Sequence, residues 1–167
     1  LSSNSLCTPL LTFDINEGAN IAFGLNITNK SDSLSKSNFV GMMDANLKSN
    51  SKLDMVLTQQ GVNLSRSDIN INLNGDYSSF NLTGIYFGRE KQHKDITACV
   101  NHNAENTSSK QIIRGILDDS SVGVYQGGIK VAPQAQKTDG QQMSRALLLS
   151  KLAESNSKPE LEIFADD

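Results

Sequence analysis

A chain of 167 residues with net charge −3, 37% hydrophobic residues, 5% aromatics and no Trp is long enough for one domain, spanning 1–167, but must build its core from Ile, Leu and Val. The mildly acidic balance, without a Lys/Arg run interleaved with aromatics, argues against a nucleic-acid surface. No segment reaches the roughly 18 apolar residues of a membrane span, no basic and apolar leader opens the chain, and the distant Cys7 and Cys99 encode neither a disulfide framework nor a zinc site, so a reducing, cytoplasmic setting is expected.

From the N-terminus, alternation places Leu11, Phe13 and Ile15 on one face of a strand, a turn at Glu17 to Asn20, and a second strand with Ile21 and Phe23 inward. The same strand, turn, strand unit returns as ANLKSNSKLDMVL, turning near Asn50. It returns again as DININLNGDYSSFNLTG, where Ile69, Ile71 and Leu73 alternate with Asn70, Asn72 and Asn74 before Gly75. The turns recur every ~25 to 32 residues, a period typical of structural repeats. The Ser/Asn-rich stretch Asn29 to Asn38 reads as a long loop between coils, because the repeat occurs on both sides of it. Further strands are expected at His93 to Val100, Lys110 to Leu117, Val122 to Val131, Ala146 to Leu149 and Glu160 to Phe164. Short strands at this spacing fit a β-sandwich or a β-solenoid. The repeat favours the all-β solenoid, in which each coil buries small aliphatic residues against its neighbours. Leu1 in place of Met, and a strand-like run immediately before the last residue, give the expectation that both ends continue in a longer protein.

Metal-type ligands gather once, where His93 and His102 bracket Asp95 and Cys99 in HKDITACVNH. Alternation puts His93, Asp95, Thr97 and Cys99 together on the outward face. Same-face neighbours along a strand are about 6.5 to 7 Å apart, too far to close on one ion without an adjacent coil. A weak metal site and an ordinary polar sheet face both remain open. Glu154, Glu160, Glu162, Asp166 and Asp167 form an acidic group whose oxygens suit a hard or borderline cation. In PELEIFADD, however, Glu160 and Glu162 alternate with Leu161 and Ile163, as on the wet side of a half-buried strand. No GxSxG elbow accompanies the two histidines, and Gly127-Gly128 lacks the Lys-Ser/Thr of a phosphate loop. Those glycines are expected at a bulge, a corner or a close approach between coils. Arg114 and Lys137 are the cations to examine for an anionic partner. Asn26, Asn29, Asn63, Asn81 and Asn106 begin glycosylation-type triplets, which an Asn- and Ser-rich chain also produces by chance.

The run GVYQGGIKVAPQAQKTDGQQMSRALLLS followed by KPELEIFADD resembles the core domain of the SufB/SufD family, and KTDGQQMSRALLLS favours its SufD branch. The likeness extends back through QIIRGIL, through the His93, Asp95 and His102 stretch, and into the FDINEGANIAF and NLKSNSKLDMVL repeats. It implies a right-handed parallel β-helix acting as a non-catalytic scaffold subunit. Its partners would be a SufB-like subunit and a SufC-like ATPase in a cytosolic complex that assembles iron-sulfur clusters. The cluster and ATP would belong to the whole complex, with no cofactor bound by this segment. The residues that the family links to cluster handling follow the KPELEIFADD-like motif and have no counterpart here; Cys99 does not match them. His93, Asp95 and His102 match a family pattern and are read as structural. Unpaired strand edges at Glu160, Leu161, Glu162, Ile163 and Phe164 would favour pairing with another chain, either a family partner or a second copy. A reading of another class is a secreted β-helix enzyme or adhesin acting on polysaccharide, which would require carboxylates clustered with cations in one groove.

Overall fold

The computed structural model describes residues 5–29 and 37–165; most of the loop expected over 29–38, and Asp166 and Asp167, lie outside them. Strands β1 (Leu6–Cys7), β2 (Leu10–Ile15), β3 (Asn20–Ile27), β4 (Asn38–Leu47), β5 (Lys52–Gln59) and β6 (Leu64–Leu73) are followed by β7 (Ser79–Gly88), β8 (His93–His102), β9 (Ser108–Leu117), β10 (Val122–Val131), β11 (Asp139–Leu148) and β12 (Glu154–Ile163). The chain alternates between two sheets. β1 and β2 lie beside β4 in the first, which continues β4-β6-β8-β10-β12, while the second runs β3-β5-β7-β9-β11. Every strand pair is parallel. Each coil therefore contributes one rung to each sheet, and the fold is a parallel β-solenoid.

The repeat read from the turns is the coil itself. Hydrogen-bonded side chains on successive coils are separated by 32, 26 and 29 residues, as in Asp14, Asn46, Asn72 and Asn101. Inward residues stack in columns between the sheets. Leu47, Leu53, Leu57, Ile71, Leu73 and Phe80 have no exposed surface, and each such burial contributes about 1.5 to 3 kcal/mol relative to exposure. Aliphatic residues suffice because each coil covers the next, so the missing Trp leaves no gap to fill. The turns from the first sheet to the second pass through a left-handed residue at Gly18, Asn50, Tyr77, Asn106 and Lys137. The turn expected at Gly75 takes its positive φ at Tyr77 instead. Gly75 serves close approach, since a Cβ there would lie 2.0 Å from the Ser49 backbone nitrogen.

Several strands are longer than the alternation suggested. β4 begins at Asn38 and β6 at Leu64, and β11 and β12 extend well upstream of Ala146 and Glu160. Their inward positions hold Ser, Gly, Gln or Pro, which weakens the hydrophobic pattern without breaking the ladder. Gly127 and Gly128 lie inside β10, paired without a break to β8 and β12, and neither has a positive φ, so they mark no bulge or corner. Gly127 makes room for a neighbour, because a Cβ there would sit 2.3 Å from the Tyr125 phenol oxygen. β12 is exposed along all ten residues rather than half-buried; Leu161 and Ile163 are each 60% exposed.

Candidate functional site

β8 carries the four residues that the ligand pattern brought together, and the strand separates them. His93, Asp95 and Cys99 face outward, whereas His102 shares the inward face with Ile96, Ala98 and Val100. The two histidines are offset by nine positions, and an odd offset on a two-residue period reverses the face. Asp95 is only 7% exposed. It lies 3.6 Å from the Arg66 guanidinium, which also holds Asp68 at 3.0 Å. Burial raises the Asp95 carboxyl above its ordinary range despite that cation. Cys99 stands on β8 beside Gly128 of β10, which β12 follows with Glu160. The missing side chain at Gly128 leaves a surface notch of about 110 Å³ lined by Cys99, Gln126, Lys130, Lys158 and Glu160. Burial raises the Cys99 thiol pKa and the Glu162 and Glu160 carboxylates add to this, against the opposing Lys130, so the thiolate is disfavoured.

Among the described residues, no three His, Cys, Asp or Glu side chains converge closely enough to hold a metal ion. Two of the described acids of β12 are occupied by ion pairs, Lys158 with Glu160 at 2.5 Å and Lys130 with Glu162 at 3.3 Å, while Glu154 stands at the start of the strand, away from both. Asp166 and Asp167 lie outside the described residues. Arg114 and Lys137 do not meet; Arg114 is in β9, on the outer face of the second sheet, and Lys137 is in the turn before β11.

Chemistry that the sequence pattern missed lies inside the coils. The ring nitrogens of His102 stand 2.8 Å from Thr107 and 2.9 Å from Ser109. Thr107 gives its proton to the Ala104 carbonyl, so Nδ1 donates to Thr107 and Nε2 accepts from Ser109. Burial lowers the His102 pKa to about 4, with Asp139 opposing. Tyr125 donates to Gln111 at 2.9 Å, and burial raises its pKa strongly. Lys94 is fully buried and donates to the Val62 carbonyl at 2.5 Å, and burial alone lowers its pKa to about 8. Gln59 donates to Ser67 and to the Asp95 carbonyl and accepts from Ser65. Strand parity was the available signal: carried to both ends of β8, it places Lys94 and His102 inside.

Over residues 2–167 the sequence matches the family model described as SUF system FeS cluster assembly, SufBD core domain. The iron-sulfur cluster assembly protein SufD of Escherichia coli (strain K12) is 36% identical over 102 residues, covering 61% of this chain and 24% of that protein. The iron-sulfur cluster assembly SufBD family protein slr0076 of Synechocystis sp. is 30% identical over 119 residues, 70% of this chain and 26% of that protein. Protein ABCI7, chloroplastic, of Arabidopsis thaliana is 30% identical over 118 residues, 70% of this chain and 25% of that protein. The chain thus aligns with about a quarter of the length of each.

Proposed function

The chain belongs to the SufBD core family of the SUF iron-sulfur cluster assembly system, and from that premise we propose that it is a non-catalytic scaffold subunit pairing with a SufB-like subunit and a SufC-like ATPase. The observation that carries this reading is the family match across 2–167, which coincides with a continuous stack of coils. In this reading the segment supplies shape and surface, while ATP hydrolysis and cluster chemistry belong to the assembled complex. Iron and sulfide are its cargo, and the cytoplasm is its proposed location. The proposed contact is β12 with the residue that follows it, where Leu161, Ile163 and Phe164 are each 60% exposed beside Glu160 and Glu162.

The test is co-purification of the complete protein with its SufB-like and SufC-like partners, followed by iron and sulfide analysis with each subunit omitted in turn. Leu161→Glu together with Ile163→Glu should move the protein out of the complex on size exclusion while leaving its circular dichroism unchanged. Undiminished association of that variant would exclude β12 as the contact. Failure of the unmodified protein to co-purify with either partner would remove the scaffold reading. Membership of that family stands in place of the secreted polysaccharide-active enzyme or adhesin.

A further inference from the structure

We propose that the outer face of the second sheet is a docking surface for an acidic peptide segment of a partner protein, anchored by an apolar side chain. Register places Arg114 of β9 directly beside Arg145 of β11, both exposed. Like charges on adjacent strands are mildly destabilising, and here nothing offsets them: among the described residues Arg89, Lys110, Arg114 and Arg145 form no ion pair. The carboxylates of the strands lie mostly elsewhere. The first sheet carries Asp14, Asp44, Asp68, Asp95, Glu154, Glu160 and Glu162, while the second has only Asp54, held by Lys52 at 2.8 Å, and Asp139 at the start of β11. A cationic face on a chain of net charge −3 points to an anionic occupant.

An apolar row runs alongside the arginine pair. Phe87, Ile116 and Leu147 are in register across β7, β9 and β11, with exposures of 42%, 37% and 57%. Two residues along each strand, about 7 Å, separate this row from the arginines. At its β7 end the row enters a cleft of about 390 Å³, whose lining includes Thr28, Gln60, Gly61, Phe87, Arg89 and Gln92. The cleft follows from strand length: β5 pairing with β7 stops at Gln59↔Tyr86, so Phe87 and Gly88 have no β5 residue opposite them. A peptide can place an apolar side chain beside Phe87 and carboxylates over Arg114 and Arg145. Nucleic acid fits less well, because the cations are few, aliphatic residues separate them, and Phe87 offers a single stacking ring.

The test is fluorescence anisotropy of the full-length protein with a labelled alternating Glu/Leu peptide of about six residues, a length that spans such a face when extended. Lys/Leu and Glu/Ser peptides and a single-stranded oligonucleotide serve as comparisons. The Glu/Leu peptide should bind, with the other two peptides at least about tenfold weaker. Arg114→Glu with Arg145→Glu should weaken binding by about tenfold or more, as should Phe87→Ser, whereas Arg114→Lys with Arg145→Lys should retain most of it. The proposal is overturned by no binding up to about 1 mM, the weak end of specific association. Lys/Leu binding as tight as Glu/Leu, indifference to the charge reversal, or tighter binding of the oligonucleotide would each overturn it as well. None of these readouts requires the SUF partners, so a negative result leaves the scaffold reading intact.

Discussion

The coil of β6 and β7 and the coil of β8 and β9 stack in the same register, yet at three stacked positions their interiors differ in kind. Leu73 is followed in its column by His102, Phe80 by Ser109 and Leu82 by Gln111. The first set packs by dispersion and area alone. The second must also satisfy donors and acceptors, and it does so through the contacts of His102 with Thr107 and Ser109 and of Tyr125 with Gln111. Solenoid geometry dictates which positions point inward and how they stack, but the residue found there decides whether a coil is held by packing or by a polar network. The two kinds of inward position should therefore respond differently to mutation and to pH.

The largest effect should come from the apolar coils. Leu57→Ala, at a position with no exposed surface, should lower unfolding free energy by about 3 kcal/mol, and denaturant titrations at pH 5 and pH 8 should return the same loss. The polar coils should instead show a pH-dependent loss. The folded-state pKa of His102, about 4, lies below its ordinary value of 6.5, so the unfolded chain binds the extra proton between these values. This contribution is fully present above pH 6.5 and is lost as pH falls toward 4, by up to about 3 kcal/mol. His102→Leu should flatten that part of the profile, and an unchanged acid limb would show that His102 does not set it. Tyr125→Phe should cost about 1 to 2 kcal/mol, because Gln111 loses its donor inside the coil. The smallest change is expected on the outer face: Asn72→Ala, which breaks an exposed bond to Asn46 and a part-buried one from Asn101, should cost about 0.5 kcal/mol. A larger loss there than for Tyr125→Phe would reverse the assignment of the polar interior as the stronger network.

Legibility followed the hydrophobic pattern. Where Ile69, Ile71 and Leu73 alternate with asparagines, the strand, its inward face and its following turn could all be read from the chain. Where inward positions carry Gly140, Gln142, Ser157 or Pro159, the alternation fades and the strand starts were missed, because the ladder is held by backbone hydrogen bonds to the coil beneath. The four weak ligand candidates do not share one face, for a local reason. Sequence proximity grouped His93 with His102, but an offset of nine residues in an extended strand sends them to opposite faces. Arg114 was noticed as a lone cation; only the coil length brings Arg145 beside it.

The sequence by itself determined the β class, the coil period and the family, because period-two alternation, recurrent turns and the GVYQGGIKVAPQAQKTDG run are local properties of the chain. Tertiary structure alone decided which residues become neighbours from one coil to the next: Tyr125 with Gln111, Cys99 with Gly128, Arg114 with Arg145. Those pairings depend on the register between strands, since a slip of one residue in the pairing sends every side chain of that strand to the other face, and turns of differing length hold the same register from coil to coil.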